Sequence, residues 1–197
     1  MWKSLILAFG LASALLQGQA PTELRGLKRD WVDMGQAAGR TLHLDLSAGG
    51  IRIRPSEDDH VKVRYTGARD QDLSAVRVQF QPGQEPELCV HHTPKEDFEM
   101  EIQVPRAVGL VLRMTAGELD IQGVEGDKDL RLHAGQITVR VGDPLAYGDI
   151  QASVWAGEVN PGPFGEAKEG LFRSFERQGP GHYQLRAKLK AGEIRFR

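Results

Sequence analysis

The sequence predicts an all-β fold, specifically a β-solenoid (a parallel β-helix-like coil) with turns of about 18–22 residues. Three observations predict it. Apolar and polar residues alternate over most of the chain from residue 41 onward, which is the period of a strand with one buried face. The dipeptide Ala-Gly recurs five times at one register within these alternating stretches, and two intervals between its glycines are 18 and 22 residues. Such self-similarity is typical of stacked repeats.

The first twenty residues have the pattern of an export signal. Lys3 gives a positive start, Leu5–Leu16 an apolar stretch, and residues 18–20 a small-x-small cleavage pattern. The apolar stretch is shorter than the roughly twenty residues that a membrane-spanning helix needs, and no later stretch is comparable. We therefore expect residues 1–20 to be a cleaved signal peptide. The protein would then be exported to the periplasm or cell surface of a bacterium, with no stable membrane insertion after cleavage.

The composition restricts the kinds of partner and of stabilisation. The formal net charge at pH 7 is −2, which argues against general nucleic-acid binding because such proteins usually carry a clearly basic domain. Cys89 is the single cysteine, so no internal disulfide can form and packing is expected to hold the fold. Glycine is abundant at 23 residues, which suits a chain with many tight corners.

Two regions follow the export signal. Residues 21–40 are mostly polar and show no two-residue alternation, so we expect a short helix or an irregular N-terminal cap there. Residues 41–197 form the predicted solenoid domain, whose first open layer the cap would cover. The 68-residue interval between Gly49 and Gly117 is expected to hold about three less regular turns.

A change of parity marks each Ala-Gly dipeptide as a bend. In the copy at 112–122, apolar residues keep one parity as far as Met114 and return at Leu119 with the opposite parity. An unbroken strand cannot do this without turning its core face to solvent, so the glycine must allow a positive φ or a close approach of backbones. The predicted bend residues are Gly49, Gly117, Gly135, Gly157 and Gly192.

Three stretches that contain four of these bends resemble a known family. They are TLHLDLSAGGIRIRP, VPRAVGLVLRMTAGELDIQGVEGDKDLRLHAGQITV and GHYQLRAKLKAGEIRFR, and they resemble the DUF4097 family of bacterial adhesin-like proteins. The hallmark of that family is a repeated unit of a small residue, glycine, a variable residue and Ile or Val, within a β-solenoid. The likeness covers residues 40–197. It implies an exported bacterial envelope protein and brings no catalytic residues to carry over.

The side chains expected to face outward near the bends form the candidate binding site. Stacking the copies in chain order places Arg113, Arg131 and His133 on neighbouring turns, beside Trp155 at a position that is otherwise polar. An exposed tryptophan beside arginine and histidine suits stacking on a sugar or holding an anionic ligand. The alternative is that the insertion at 160–180 folds back and buries Trp155.

The residues favour a binding or structural module over an enzyme. The chain has no Gly-x-Ser-x-Gly elbow and no Cys-x-x-Cys unit, and the adjacent His91 and His92 would point to opposite faces of a strand. We therefore expect no catalytic residue, cofactor or metal. The expected partners are cell-surface or cell-wall glycans, or another envelope protein. Two alternatives stay open: a small polysaccharide-acting enzyme on the same scaffold, and a structural subunit that self-associates end to end through an open terminal strand.

Overall fold

The computed structural model describes residues 20–37, 41–166 and 168–197. Over these residues it contains twelve strands and two short 3-10 turns, Pro144–Ala146 and Gly162–Phe164. The prediction of an all-β fold is confirmed. The strands are β1 (Thr22–Arg25), β2 (Val32–Gln36), β3 (Thr41–Pro55), β4 (His60–Tyr65), β5 (Arg77–Gln81), β6 (Glu87–His91), β7 (Glu99–Val104), β8 (Gly109–Gln122), β9 (Lys128–Arg140), β10 (Tyr147–Asn160), β11 (Lys168–Gln178) and β12 (Tyr183–Phe196).

Five long strands form the centre of the molecule. They lie side by side in the order β3, β8, β9, β12 and β10, and every neighbouring pair is parallel. The pairing places the Ala-Gly dipeptides of all five strands next to one another. We call the half of each strand before its Ala-Gly the first arm, and the half after it the second arm.

The glycines of these dipeptides stack in direct backbone contact. All five have positive φ, from 118° at Gly117 to 137° at Gly157. A side-chain carbon built on Gly135 would overlap the carbonyl oxygen of Gly117, and one built on Gly117 would overlap that of Gly49. Both the backbone conformation and the space between strands therefore require glycine in this row.

The long strands fold back on themselves at these glycines. Leu110 near the start of β8 pairs with Lys128 of β9, although Gln122 at the end of β8 is only six residues before Lys128. A straight strand would separate Leu110 from Gln122 by about 40 Å at about 3.3 Å per residue. Six residues of chain reach at most about 21 Å. The two arms therefore face each other, and their inward side chains join one core cluster that includes Leu112, Ile121, Leu132 and Val139.

Beyond β3 the sheet divides. The first arm of β3 pairs with β6, which continues antiparallel to β5 and β1, whereas its second arm pairs with β7, which continues antiparallel to β4 and β2. At the opposite end β11 lies antiparallel to β10 along both of its arms. The result is one mixed, open sheet of twelve strands that is folded along the glycine row.

The prediction of a β-solenoid is wrong. In a solenoid each turn stacks on the turn before it, whereas here β12 lies between β9 and β10, and antiparallel strands end an unclosed sheet. The 22-residue interval joins Gly135 to Gly157, which lie on strands that are not neighbours. The 68-residue interval joins Gly49 to Gly117, which lie on strands that are neighbours. The segment between them holds two antiparallel pairs, β4 with β7 and β5 with β6, and no additional stacked turns.

The last strand is likewise not an open edge. β12 pairs with β9 on one side and with β10 on the other, so self-association through a free edge of the terminal strand has no structural basis. The spacing of repeats along the chain did not indicate which copies become neighbours. In the described chain the free edges belong to β11, β1 and β2.

The region expected to be a short helix or an irregular cap contains two strands instead. β1 lies at the outer edge of one branch of the sheet and β2 at the outer edge of the other. Leu24 is partly buried and Met34 is 1% exposed, so these polar segments still contribute apolar side chains to the core. The predicted signal peptide lies outside the described residues, except for Ala20. None of the helical turns in the described ranges has the length and apolarity that crossing a bilayer requires.

Candidate functional site

Two rows of outward side chains run across the first arms, immediately before the bend. The strand register places them in the order β8, β9, β12, β10, β11. The row next to Ala-Gly reads Thr115, His133, Lys190, Trp155 and Phe172, and the row two residues earlier reads Arg113, Arg131, Lys188, Ser153 and Ser174. We call the basic and aromatic members of these rows the cationic face: Arg113, Arg131, Lys188, His133, Lys190, Trp155 and Phe172.

All four residues that the sequence singled out are exposed on this face, and only Trp155 lacks the neighbour that chain order implied. Arg113 lies beside Arg131 on β8 and β9, and His133 shares a strand with Arg131. Trp155 is two strands away from His133, because Lys190 of β12 lies between them. Lys188 and Lys190 were not predicted as site residues, because only the position of β12 in the sheet brings them there. Lys188 and Lys190 precede Ala-Gly at the same outward positions as Arg131 and His133, and this signal could have found them.

The basic row holds one cation on each of three consecutive strands, about 4.8 Å apart. Arg131 forms an ion pair with Asp129 at 3.0 Å, and this hydrogen bond raises the pKa of the guanidinium, which stays charged. Arg113 and Lys188 make no ion pair within the described residues, and the same is true of Lys190. Most of the positive charge on the cationic face is therefore available to a ligand.

Aromatic rings end this face at the β10–β11 side. The insertion at 160–180 supplies β11 and pairs with β10, yet Trp155 remains 57% exposed. The burial of Trp155 by that insertion, which was the alternative expectation, does not occur. The Trp155 and Phe172 rings meet edge to face, with centroids 5.7 Å apart and planes at 87°. Phe172 and Leu171 are 71% and 60% exposed, so three large apolar side chains of β10 and β11 are open to solvent.

The outward side chains of the second arms have the opposite charge near the bend. Glu118, Glu193 and Glu158 occupy equivalent positions on β8, β12 and β10, two residues after the alanine of each dipeptide. Farther along the second arms arginines, among them Arg52, Arg140 and Arg195, balance the carboxylates, so the acidic character is confined to positions next to the bend. These glutamates make the first arms the more favourable side of the bend for a polyanion.

Metal ligands and the cysteine thiol were the remaining candidates for chemistry. Among them no group of three or more His, Cys, Asp or Glu side chains is placed to hold a metal ion. Burial, followed by the nearby carboxylates of Glu87 and Asp45, raises the pKa of the Cys89 thiol to about 11. That thiol is protonated at neutral pH and lacks the thiolate character of a nucleophile.

Comparisons with known proteins bear on the fold. Neither a protein-family model nor a curated protein sequence matches this chain, so membership of the DUF4097 family stays a prediction. A solved structure is similar: the "putative cell adhesion protein" from Clostridium sporogenes, with a TM-score of 0.55 and 12% sequence identity. The match covers 90% of this chain and 99% of that one. At this identity the likeness establishes a shared fold.

Proposed function

We propose that this chain is an exported, non-enzymatic binding module of the bacterial envelope that holds anionic polysaccharide on its cationic face. The observation that carries the proposal is the row formed by Arg113, Arg131 and Lys188 on three consecutive strands. Its charges are spaced evenly by the sheet and lie beside an exposed aromatic pair. The pattern of an export signal in residues 1–20 supports the envelope location, and the cell-adhesion description of the structural neighbour accords with a binding role.

A polymer with repeated negative charge suits this geometry better than a compact ligand does. The cationic face is an exposed surface, so each contact is weak, about 0.2–1 kcal/mol for an exposed ion pair. A polymer makes several such contacts at once, because once one unit is held the next binds at high effective concentration. The Trp155 ring adds an apolar face on which a sugar ring can stack. The parallel sheet fixes the spacing, which reduces the ordering cost of binding.

The test compares binding of the purified protein to polygalacturonate, a polymer with a carboxylate on each sugar, with binding to neutral dextran. We expect polygalacturonate to bind, with an affinity that falls as salt is raised, and dextran not to bind. The Arg131→Gln/Lys188→Gln double variant should bind several-fold more weakly, because about 0.2–1 kcal/mol is lost with each contact. The Trp155→Ala variant should also bind more weakly at every salt concentration.

A matched control removes the same charge from other surfaces. The Arg25→Gln/Arg52→Gln double variant takes one cation from β1 and one from the second arm of β3, and should bind polygalacturonate as the unmodified protein does. Equal binding of both polymers would contradict the proposal. Equal losses in the two double variants would show that net charge matters and that the cationic face does not.

A second candidate function rests on the free edge of β11. Within the described chain β11 pairs only with β10, and its residues Leu171 and Phe172 are largely exposed. An unpaired strand edge with apolar side chains favours pairing with a second copy. Light scattering over a range of concentrations tests this: a mass that rises with concentration, and that the Leu171→Lys variant abolishes, would support a self-associating structural subunit.

A further inference from the structure

A cavity of about 540 Å³ lies on the side of the molecule where the chain links one folded strand to the next. Its walls come from four links that are far apart in sequence, at 105–108, 123–127, 141–146 and 179–182. The parallel stacking of β8, β9, β12 and β10 brings these links together. We call this space the link cavity. Its volume lies within the range of about 300–1,000 Å³ that small-molecule sites occupy.

Aromatic rings form one wall of the link cavity. Tyr147 and Tyr183 lie with their ring centroids 6.0 Å apart at 60°, and the His182 ring lies 4.0 Å from that of Tyr183. The buried side chains of Val124 and Val141 contribute apolar surface. Aromatic rings beside aliphatic groups are suited to the carbon–hydrogen face of a sugar ring.

Positively charged side chains lie at the rim of the link cavity and behind its aromatic wall. Arg106 and Arg140 line the cavity, are exposed, and make no side-chain hydrogen bond or ion pair within the described residues. Lys128 is 2% exposed, and its Nζ donates hydrogen bonds to the Tyr147 hydroxyl at 2.8 Å and to the Gly126 carbonyl at 2.9 Å. The lysine thus fixes the position of the Tyr147 hydroxyl.

Two carboxylates also line the cavity. Asp143 Oδ1 accepts a hydrogen bond from the backbone N–H of Leu145 at 2.9 Å, so one carboxylate oxygen is engaged within the 141–146 link. Glu125 lies on the link between β8 and β9. The cavity therefore combines unpaired guanidinium donors with acceptors for hydroxyl groups. A sugar that carries a carboxylate offers both kinds of partner.

We propose that the link cavity binds a single acidic sugar, a pyranose with a carboxylate. Arg106 and Arg140 hold the carboxylate, because guanidinium groups form paired, charge-assisted hydrogen bonds with it. The Tyr183 and His182 rings contact the ring of the sugar, and Glu125 accepts from its hydroxyl groups. The proposal does not rest on polymer binding by the cationic face, which lies on the first arms.

The test uses D-glucuronate as the probe, with D-glucose and acetate as matched controls that lack the carboxylate and the ring. Titrations are followed by calorimetry or by protein NMR shifts. Glucuronate should bind saturably below about 10 mM, a modest affinity of about −3 kcal/mol or better. Glucose and acetate should bind at least tenfold more weakly. No saturable binding of glucuronate, or equal binding of glucose, would overturn the proposal.

Variants locate the site. Arg140→Gln and Arg106→Gln should each weaken glucuronate binding about tenfold or more, because each removes a charge-assisted contact. Arg140→Lys should recover part of the loss, since the charge remains but the paired geometry does not. Arg25→Gln/Arg52→Gln, on β1 and the second arm of β3, is the control and should bind glucuronate normally. If Arg131→Gln/Lys188→Gln loses glucuronate while Arg140→Gln keeps it, the ligand sits on the cationic face and the link cavity is not its site.

Discussion

Replacing Gly135 with alanine should destabilise the protein far more than an ordinary glycine substitution. Gly135 lies in the middle of the glycine row, with φ of 127°, and a side-chain carbon there would overlap the backbone carbonyl of Gly117. The three nearest atoms all belong to the Gly117 backbone, so no side chain can rotate away to relieve the contact. The strands β8 and β9 would have to separate locally at the bend.

The expected cost has two parts. A non-glycine residue held in this part of φ/ψ space costs about 1–3 kcal/mol. Separating β8 from β9 at the bend sacrifices about two backbone hydrogen bonds, each worth about 1 kcal/mol. The sum is about 3–5 kcal/mol, a large share of the free energy of unfolding of a whole domain, which is about 5–15 kcal/mol.

The assay is urea unfolding followed by fluorescence and circular dichroism. Gly83→Ala is the matched control, because Gly83 also has a positive φ of 153° but a side-chain carbon there meets nothing within 4 Å. The control should lose only the conformational part, about 1–3 kcal/mol. If Gly135→Ala loses no more than Gly83→Ala does, the backbone overlap is relieved without cost, and the argument for a required glycine row fails.

Three further outcomes are expected. Burial lowers the pKa of Lys128 to about 8 from 10.5, so the unfolded chain holds the proton more tightly and the free energy of unfolding should rise between pH 8 and 10.5 by up to about 3 kcal/mol. Lys128→Met should lack that rise. The measurements stop below pH 10, because burial raises the pKa of Tyr147 to about 12 and its titration lowers the free energy of unfolding above pH 10. Glu101→Gln should cost about 1–3 kcal/mol in urea unfolding, because the buried Glu101 carboxylate pairs with two arginines that would lose their counter-charge. Trp155→Ala should change stability by less than about 1 kcal/mol while weakening polygalacturonate binding, since the ring is mostly exposed; a large loss of stability would show that the ring supports the fold.

The strands and the bends could be predicted from the sequence, because they depend on residues that are close together along the chain. Two-residue alternation indicated the strands, and the parity change from Met114 to Leu119 located a bend at Gly117. The N-terminal strands were missed because β1 and β2 are four and five residues long and mostly polar, too short for alternation to be visible. Strand order was missed for a different reason: parallel in-register pairing is equally compatible with any order of the five similar copies.

The candidate sites show the same division. Outward parity correctly placed Arg113 and Trp155 on the surface of their strands, but their neighbours across the sheet depended on the order of strands. The link cavity was missed because its walls come from four separate links. One local signal was present: Lys128 has the same parity as the buried Leu130 and Leu132, and a charged residue at an inward position points to a polar arrangement inside the protein.

The position of β12 makes the folding of this protein depend on a late segment of its chain. β10 and β11 precede β12 in sequence, yet they join the sheet only through it. During synthesis, the β10–β11 hairpin has one edge uncovered until β12 emerges and inserts beside β9. Such distant pairings are slow to form. A chaperone that shields strand edges would therefore act at this step, and truncation before Tyr183 would release the hairpin rather than merely shorten the sheet.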